Sequence, residues 1–106
     1  MTSSQPDPRR ILTYGHDSVL LETRRLLLEH GGFVVDTANS SQEFEACIAQ
    51  AQPPYKLYIL CHTVPIEEQR KIGAEASQVN TAVYQLTVAT APPDFLIRVS
   101  ELLSGR

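Results

Sequence analysis

The sequence predicts a three-layer α/β domain: a parallel sheet of four strands, in the order 2-1-3-4, with helices on both faces. Three observations carry that expectation. Short β-type runs alternate with amphipathic helical segments in the order β-α-β-α-β-α-β-α, and strands separated by helices pair in parallel through right-handed crossovers. The third run, Leu57-Tyr58-Ile59-Leu60, is the most apolar in the chain, as suits a central strand covered on both faces. Gly31-Gly32, Pro53-Pro54 and Pro65 fall between the segments, where they punctuate rather than break them.

Each element has its own local reason. Residues 1–9 are rich in Ser, Gln and Pro and read as a loose tail, leaving 10–106 as the folded domain. Ile11-Leu12-Thr13-Tyr14 is a short strand ended by Gly15. Asp17 or Ser18 then caps a helix to about His30, whose Leu20, Leu21, Leu27 and Leu28 recur at a spacing of seven and share one stripe. Gly31-Gly32 stops it, because glycine takes the left-handed cap conformation without steric cost, and His30 suits the negative end of the helix dipole. Residues Phe33 to Ala38 form the second strand. Ser40 and Glu43 match a capping box in which each side chain accepts from the other's backbone N–H. The helix they open carries Phe44, Cys47, Ile48 and Ala51 on one face and closes at Pro53-Pro54.

After the third strand, Pro65 marks a loop before a weaker helix from about Ile66 to Gln78. There Glu67, Glu68, Arg70 and Lys71 read as a solvated face, and Gly73 weakens the middle. Ala82 to Leu86 is the fourth strand. Beyond Thr87 to Pro93, a last amphipathic helix carries Leu96, Val99, Leu102 and Leu103.

Composition narrows the function classes. The 106 residues fit one domain. Nine basic against twelve acidic residues give a formal charge of −3, which offers no general attraction to nucleic acid or anionic lipid. The pairs Arg9-Arg10 and Arg24-Arg25 read as surface charges. Cys47 and Cys61 are too few for a disulfide framework and suit reduced thiols in a cytosolic protein. No apolar run approaches the roughly 20 residues that span a bilayer, and Met1 to Arg10 lacks the apolar stretch of a signal peptide. The expectation is a cytoplasmic domain that needs no cofactor, acts on no membrane and contacts no nucleic acid directly.

In open parallel sheets, functional residues gather beyond the carboxyl ends of the strands. Those ends supply Gly15, His16 and Asp17 after the first strand, Cys61 and His62 after the third, and Thr87 after the fourth. Imidazole and thiolate are good zinc or copper ligands, and His16⁺ beside Cys61 would depress the thiol pKa. One reading therefore makes the chain a thiol-redox or metal sensor using His16 and Cys61. Against it, His62 follows Cys61 directly and would point to the opposite face, and there is no Cys-x-x-Cys pair. Cys47 reads as core packing.

The stretch RILTYGHDSVLLETRRLLLEHGGF, from Arg10 to Phe33, resembles the opening of a response-regulator receiver domain, which is a flavodoxin-like, CheY-like fold. The stretch TANSSQEFEACIAQAQPPYKLYILCHTVP resembles its continuation. Where receivers end the third strand in an aspartate, two variable residues, an apolar residue and proline, this chain has Cys61, His62-Thr63, Val64 and Pro65. The resemblance implies that Gly15 and His16 stand where the family keeps its Mg²⁺-binding acids, leaving only Asp17 nearby. It matches Thr87 to the family's switch hydroxyl and finds no counterpart of the family's lysine. Against a complete receiver one α-β unit is missing, because only Thr87 to Pro93 separates the fourth strand from the last helix; an alternative alignment equates the fourth strand with the family's fifth, and Thr87 then has no counterpart.

Acyl-phosphate chemistry needs a carboxylate nucleophile and a divalent cation held by hard oxygen ligands. A thiol and an imidazole replace neither. The expected function is therefore a phosphorylation-independent, receiver-like interaction module in signal transduction or transcriptional regulation, and not an enzyme. The shortened sheet leaves the fourth strand, with Val83 and Tyr84, as an edge. A protein partner, or a second copy joined through that edge and the last helix, is expected there.

Overall fold

The structure, a computed structural model, describes residues 10–50, 55–79, 81–86 and 92–103. The tail at 1–9, the Pro53-Pro54 helix stop and Thr87 lie outside the described residues. Eight elements alternate: β1 (Arg10–Tyr14), α1 (Ser18–His30), β2 (Val34–Ala38), α2 (Ser41–Gln50), β3 (Leu57–Leu60), α3 (Ile66–Gln78), β4 (Ala82–Gln85) and α4 (Pro92–Leu103). The strands form one sheet in the order β2-β1-β3-β4, and every pairing is parallel. The expected architecture and strand order are those observed.

Strand alternation sorts the sheet into two cores. Ile11, Val35, Leu57 and Ile59 face Leu21 and Leu28 of α1 and Phe95 and Val99 of α4. Leu12, Tyr14, Tyr58 and Leu60 face Phe44 of α2 and Ile72 and Ala76 of α3. β3 is buried along its whole length, as its unbroken apolar run requires when helices cover both faces.

The caps show why the helices begin and end where they do. Asp17 Oδ1 accepts from the N–H groups of Val19 and Leu20 at 3.0 and 3.2 Å, satisfying two of the free donors of α1. Of the two glycines after His30, Gly32 takes the left-handed conformation, at φ +93°, while Gly31 caps the helix at φ −80°. The capping box at α2 is shifted by one residue. Ser40 Oγ accepts from Glu43 N–H at 3.1 Å, but Glu43 reaches the N–H of Asn39 at 2.8 Å rather than that of Ser40.

Two arginines expected on the surface are part of the packing. Arg10 pairs with Asp36 at 2.7 Å and lies over the ring of Tyr55 at 4.8 Å, and Tyr55 donates to the same carboxylate at 2.6 Å. Arg24 lies over the ring of Phe95 at 5.5 Å. In both, the guanidinium itself lies over an aromatic ring, as cation–π attraction favours.

Candidate functional site

The carboxyl ends of β1 and β3 are drawn together by their register, which pairs Tyr14 with Leu60. Cys61 N–H then donates to Tyr14 O at 2.8 Å, so Gly15 and Cys61 continue the two strands side by side. Both point to the α1–α4 face. The approach is so close that a β-carbon placed on Gly15 would lie 2.8 Å from Cys61 Cβ, 3.0 Å from its Sγ and 3.3 Å from Thr63 Oγ1. Only glycine fits that position, and the cysteine side chain fills the place a larger residue would take.

Cys61 is buried, at 1% exposure, and burial pushes its thiol up; Arg24 opposes this and Asp17 adds to it. A thiol so held is mostly protonated, whereas reactive cysteines sit in settings that favour the thiolate. The carbonyl of Cys61 accepts from Gln85 Nε2 at 3.3 Å, tying β3 to the end of β4.

His16 goes the other way. Strand alternation turns it to the face of Tyr14, and its Nε2 lies 3.1 Å from Glu68 Oε1 of α3 and 3.3 Å from Tyr14 Oη. Tyr14, fully buried, donates to the same Glu68 oxygen. Burial and Glu68 push the phenol up. The Tyr14 hydrogen bond and the His16 contact hold Glu68 below its usual range against the opposing effect of desolvation. The backbone of His16 donates to Thr63 Oγ1 at 3.0 Å, so the β1–α1 loop is clamped to both the β3–α3 loop and α3.

The expected convergence of His16 and Cys61 is therefore corrected: residues one apart on a strand end face opposite sides of the sheet. Asp17 is the helix cap the sequence offered, its carboxylate accepting from two N–H groups of α1. His62 is exposed. Among the described residues, no three His, Cys, Asp or Glu side chains are placed to hold a metal ion together. Nor do the residues fit Mg²⁺, which requires several hard oxygen ligands. Gly15 offers no side chain, His16 offers a nitrogen already facing Glu68, and Asp17 is engaged by two backbone donors.

Glu68 is the site residue that the sequence reading missed, taking it for part of a solvated face. Its signal was present, since Glu68, Ile72 and Ala76 recur at four-residue spacing and the latter two are buried.

Val83 and Tyr84 lie on β4, the edge strand of the sheet, as expected. Both are half-buried. Val83 packs against the α2–α3 core, and Tyr84 stacks on Phe95 of α4 at 6.1 Å. What the edge presents is backbone. Leu86 N–H donates to Leu60 O at 2.8 Å, and alternate residues of a parallel strand turn to the same neighbour. Val83 and Gln85 therefore direct their N–H and C=O groups away from β3.

No family profile matches the chain, and no curated protein sequence matches it. Solved structures do. A CheY-like response-regulator receiver domain from Methanospirillum hungatei JF-1 matches at TM-score 0.67 and 19% identity, covering 92% of this chain and 95% of that one. The chemotaxis protein CheY4 of Vibrio cholerae matches at 0.65 and 15%, covering 91% and 99%. A structure described as an adenylate cyclase from Rhodopirellula baltica matches at 0.64 and 19%, covering 91% and 87%. On this architecture and these likenesses, the chain has the fold of a CheY-like receiver domain, built on a four-stranded sheet.

Proposed function

We propose that this chain is a phosphorylation-independent, receiver-like module that works in the cytoplasm by protein–protein contact, in signal transduction or transcriptional control. The observation that carries the reading is the close packing of Cys61 on Gly15, at the carboxyl end of the sheet, where a receiver would otherwise keep a phospho-acceptor and its acids. A protonated, buried thiol is a poor phosphoryl acceptor, and the missing carboxylates leave a divalent cation without hard ligands. The reading assigns the domain no catalysis, no cofactor, and no direct role with nucleic acid or membrane; among the described residues, no helix is long and apolar enough to cross a membrane.

The contact surface we assign is the β4 edge with α4, joining either a protein partner or a second copy. The outward backbone groups of Val83 and Gln85 support it, because an unpaired edge is a template for another strand. On α4, whose Phe95 packs against Tyr84 of β4, Ile97 is an exposed apolar side chain.

Two measurements test the reading. The chain with Mg²⁺ and acetyl phosphate should keep its intact mass, and a phosphoryl adduct would overturn phosphorylation independence. In sedimentation, the chain should self-associate with rising concentration, and Val83→Pro should weaken that association. Proline at this position removes an outward-facing donor and leaves the ladder to β3 in place. A strict monomer at high concentration would remove the homodimer reading.

A further inference from the structure

The opposite end of the sheet holds a feature that the receiver-like reading does not use. At the amino ends of β3 and β4, a cavity of about 440 Å³ opens between α2 and α3. Its walls include Ile48 of α2, Val79 at the end of α3, and the tyrosines Tyr55 and Tyr58. The two rings are 5% and 4% exposed and meet edge to face at 6.3 Å. Val79 at the rim is 63% exposed, an apolar side chain left beside an apolar opening.

Two carboxylates stand at this cavity from opposite sides, Glu45 on α2 and Glu75 on α3. They interact directly across it. Burial pushes the Glu75 carboxyl up, the charge of Glu45 and a hydrogen bond with it add to this, and Lys71 opposes it. Both carboxylates also raise the phenol of Tyr58, after the larger effect of its burial. Two helices thus bring like charges together over an aromatic floor. A cation drawn to the pair would relieve that repulsion.

We propose that this cavity receives an arginine side chain from a partner polypeptide. Its planar guanidinium suits paired carboxylates and stacks on aromatic rings, and its three-carbon stem matches the apolar wall of Ile48 and Val79. A volume of this size is in the range of pockets that enclose a small ligand. The site lies at the end of the sheet away from Cys61 and does not depend on the β4 edge, so its success or failure leaves the receiver-like reading standing.

The test uses the full chain and N-acetyl-arginine-N-methylamide, followed by ¹⁵N-resolved NMR, with the citrulline counterpart as a neutral control of the same shape. The arginine probe should give saturable shifts at Ile48, Tyr58 and Val79, and the citrulline probe should bind at least about tenfold more weakly. Glu45→Gln with Glu75→Gln should remove that preference. Glu75→Lys should abolish binding by supplying an ammonium from within, and its spectrum reports whether the fold is kept. Equal response to both probes, shifts elsewhere on the surface, or no saturation by the arginine probe would overturn the proposal. So would a preference for arginine that survives the paired glutamine substitutions.

Discussion

The two ends of the sheet contrast sharply. At the carboxyl ends, where open α/β sheets usually bind ligands, the central side chains engage one another: Cys61 closes on Gly15, His16 and Tyr14 converge on Glu68, and Asp17 caps α1. At the amino ends, a cavity stays open between α2 and α3, with two acids drawn together beside it. One end of the sheet is thus closed by side chains that engage one another, and the other leaves space between two helices. The difference teaches that the place of chemistry in a fold does not follow from the fold alone.

If the upper end is closed by packing, breaking that packing should produce the largest effect. Gly15→Ala places a methyl against Cys61 Cβ and should destabilise the chain by about 1–3 kcal/mol, the cost typical of overpacking. Pairing it with Cys61→Gly should recover part of the loss, and chemical denaturation of the single and double variants measures this non-additivity. Purely additive losses would mean the two residues do not compete for space.

The Glu68 clamp comes next. Glu68→Ala leaves the buried Tyr14 hydroxyl without its acceptor and should cost about 1–2 kcal/mol, with the half-exposed His16 contact adding little. The pH dependence has a definite sign. Because the folded protein holds the Glu68 carboxyl below its ordinary range, its stabilisation is present above that range and is lost as pH falls through the lowered folded value. Thermal melts across the acid range should therefore converge for wild type and Glu68→Gln at low pH. An unchanged gap at every pH would contradict the clamp.

The smallest effect belongs to the open end. The raised Glu75 carboxyl works in the opposite sense: its folded form favours the proton, so this group opposes folding once pH rises above its folded value. Glu75→Gln should leave the melting temperature at neutral pH unchanged or slightly higher. A clear loss of stability would show that the carboxylate makes a contact that matters to the fold, and would narrow the contrast between the two ends.

Much of the fold was legible in the chain. Leu57-Tyr58-Ile59-Leu60 is the buried strand its apolar run announced, Asp17 caps α1, and Leu21 and Leu28, seven apart, are both buried. The site was legible only in part. Gly15 and Cys61 were named together with His16, yet only the first two meet. The alternation that separates His16 from Cys61 is a local rule, but applying it across two strands requires their register, Tyr14 beside Leu60. Glu68 was masked by its charged neighbours, although its four-residue spacing to Ile72 and Ala76 marked the inward stripe. Val83 and Tyr84 were correctly placed on an edge strand. Their side chains are half-buried, because they pack toward the helices on the two faces of that strand.

What the sequence determined by itself is the order of elements, their lengths and the parallel sheet, since these follow from residue periodicity and from caps a few positions away. The tertiary structure decided which side chains share a pocket. It set Cys61 against Gly15, carried Glu68 across to Tyr14 and His16, and left Glu45 and Glu75 facing one another. Those encounters join residues tens of positions apart, and they depend on strand register and helix placement, which only the assembled core establishes.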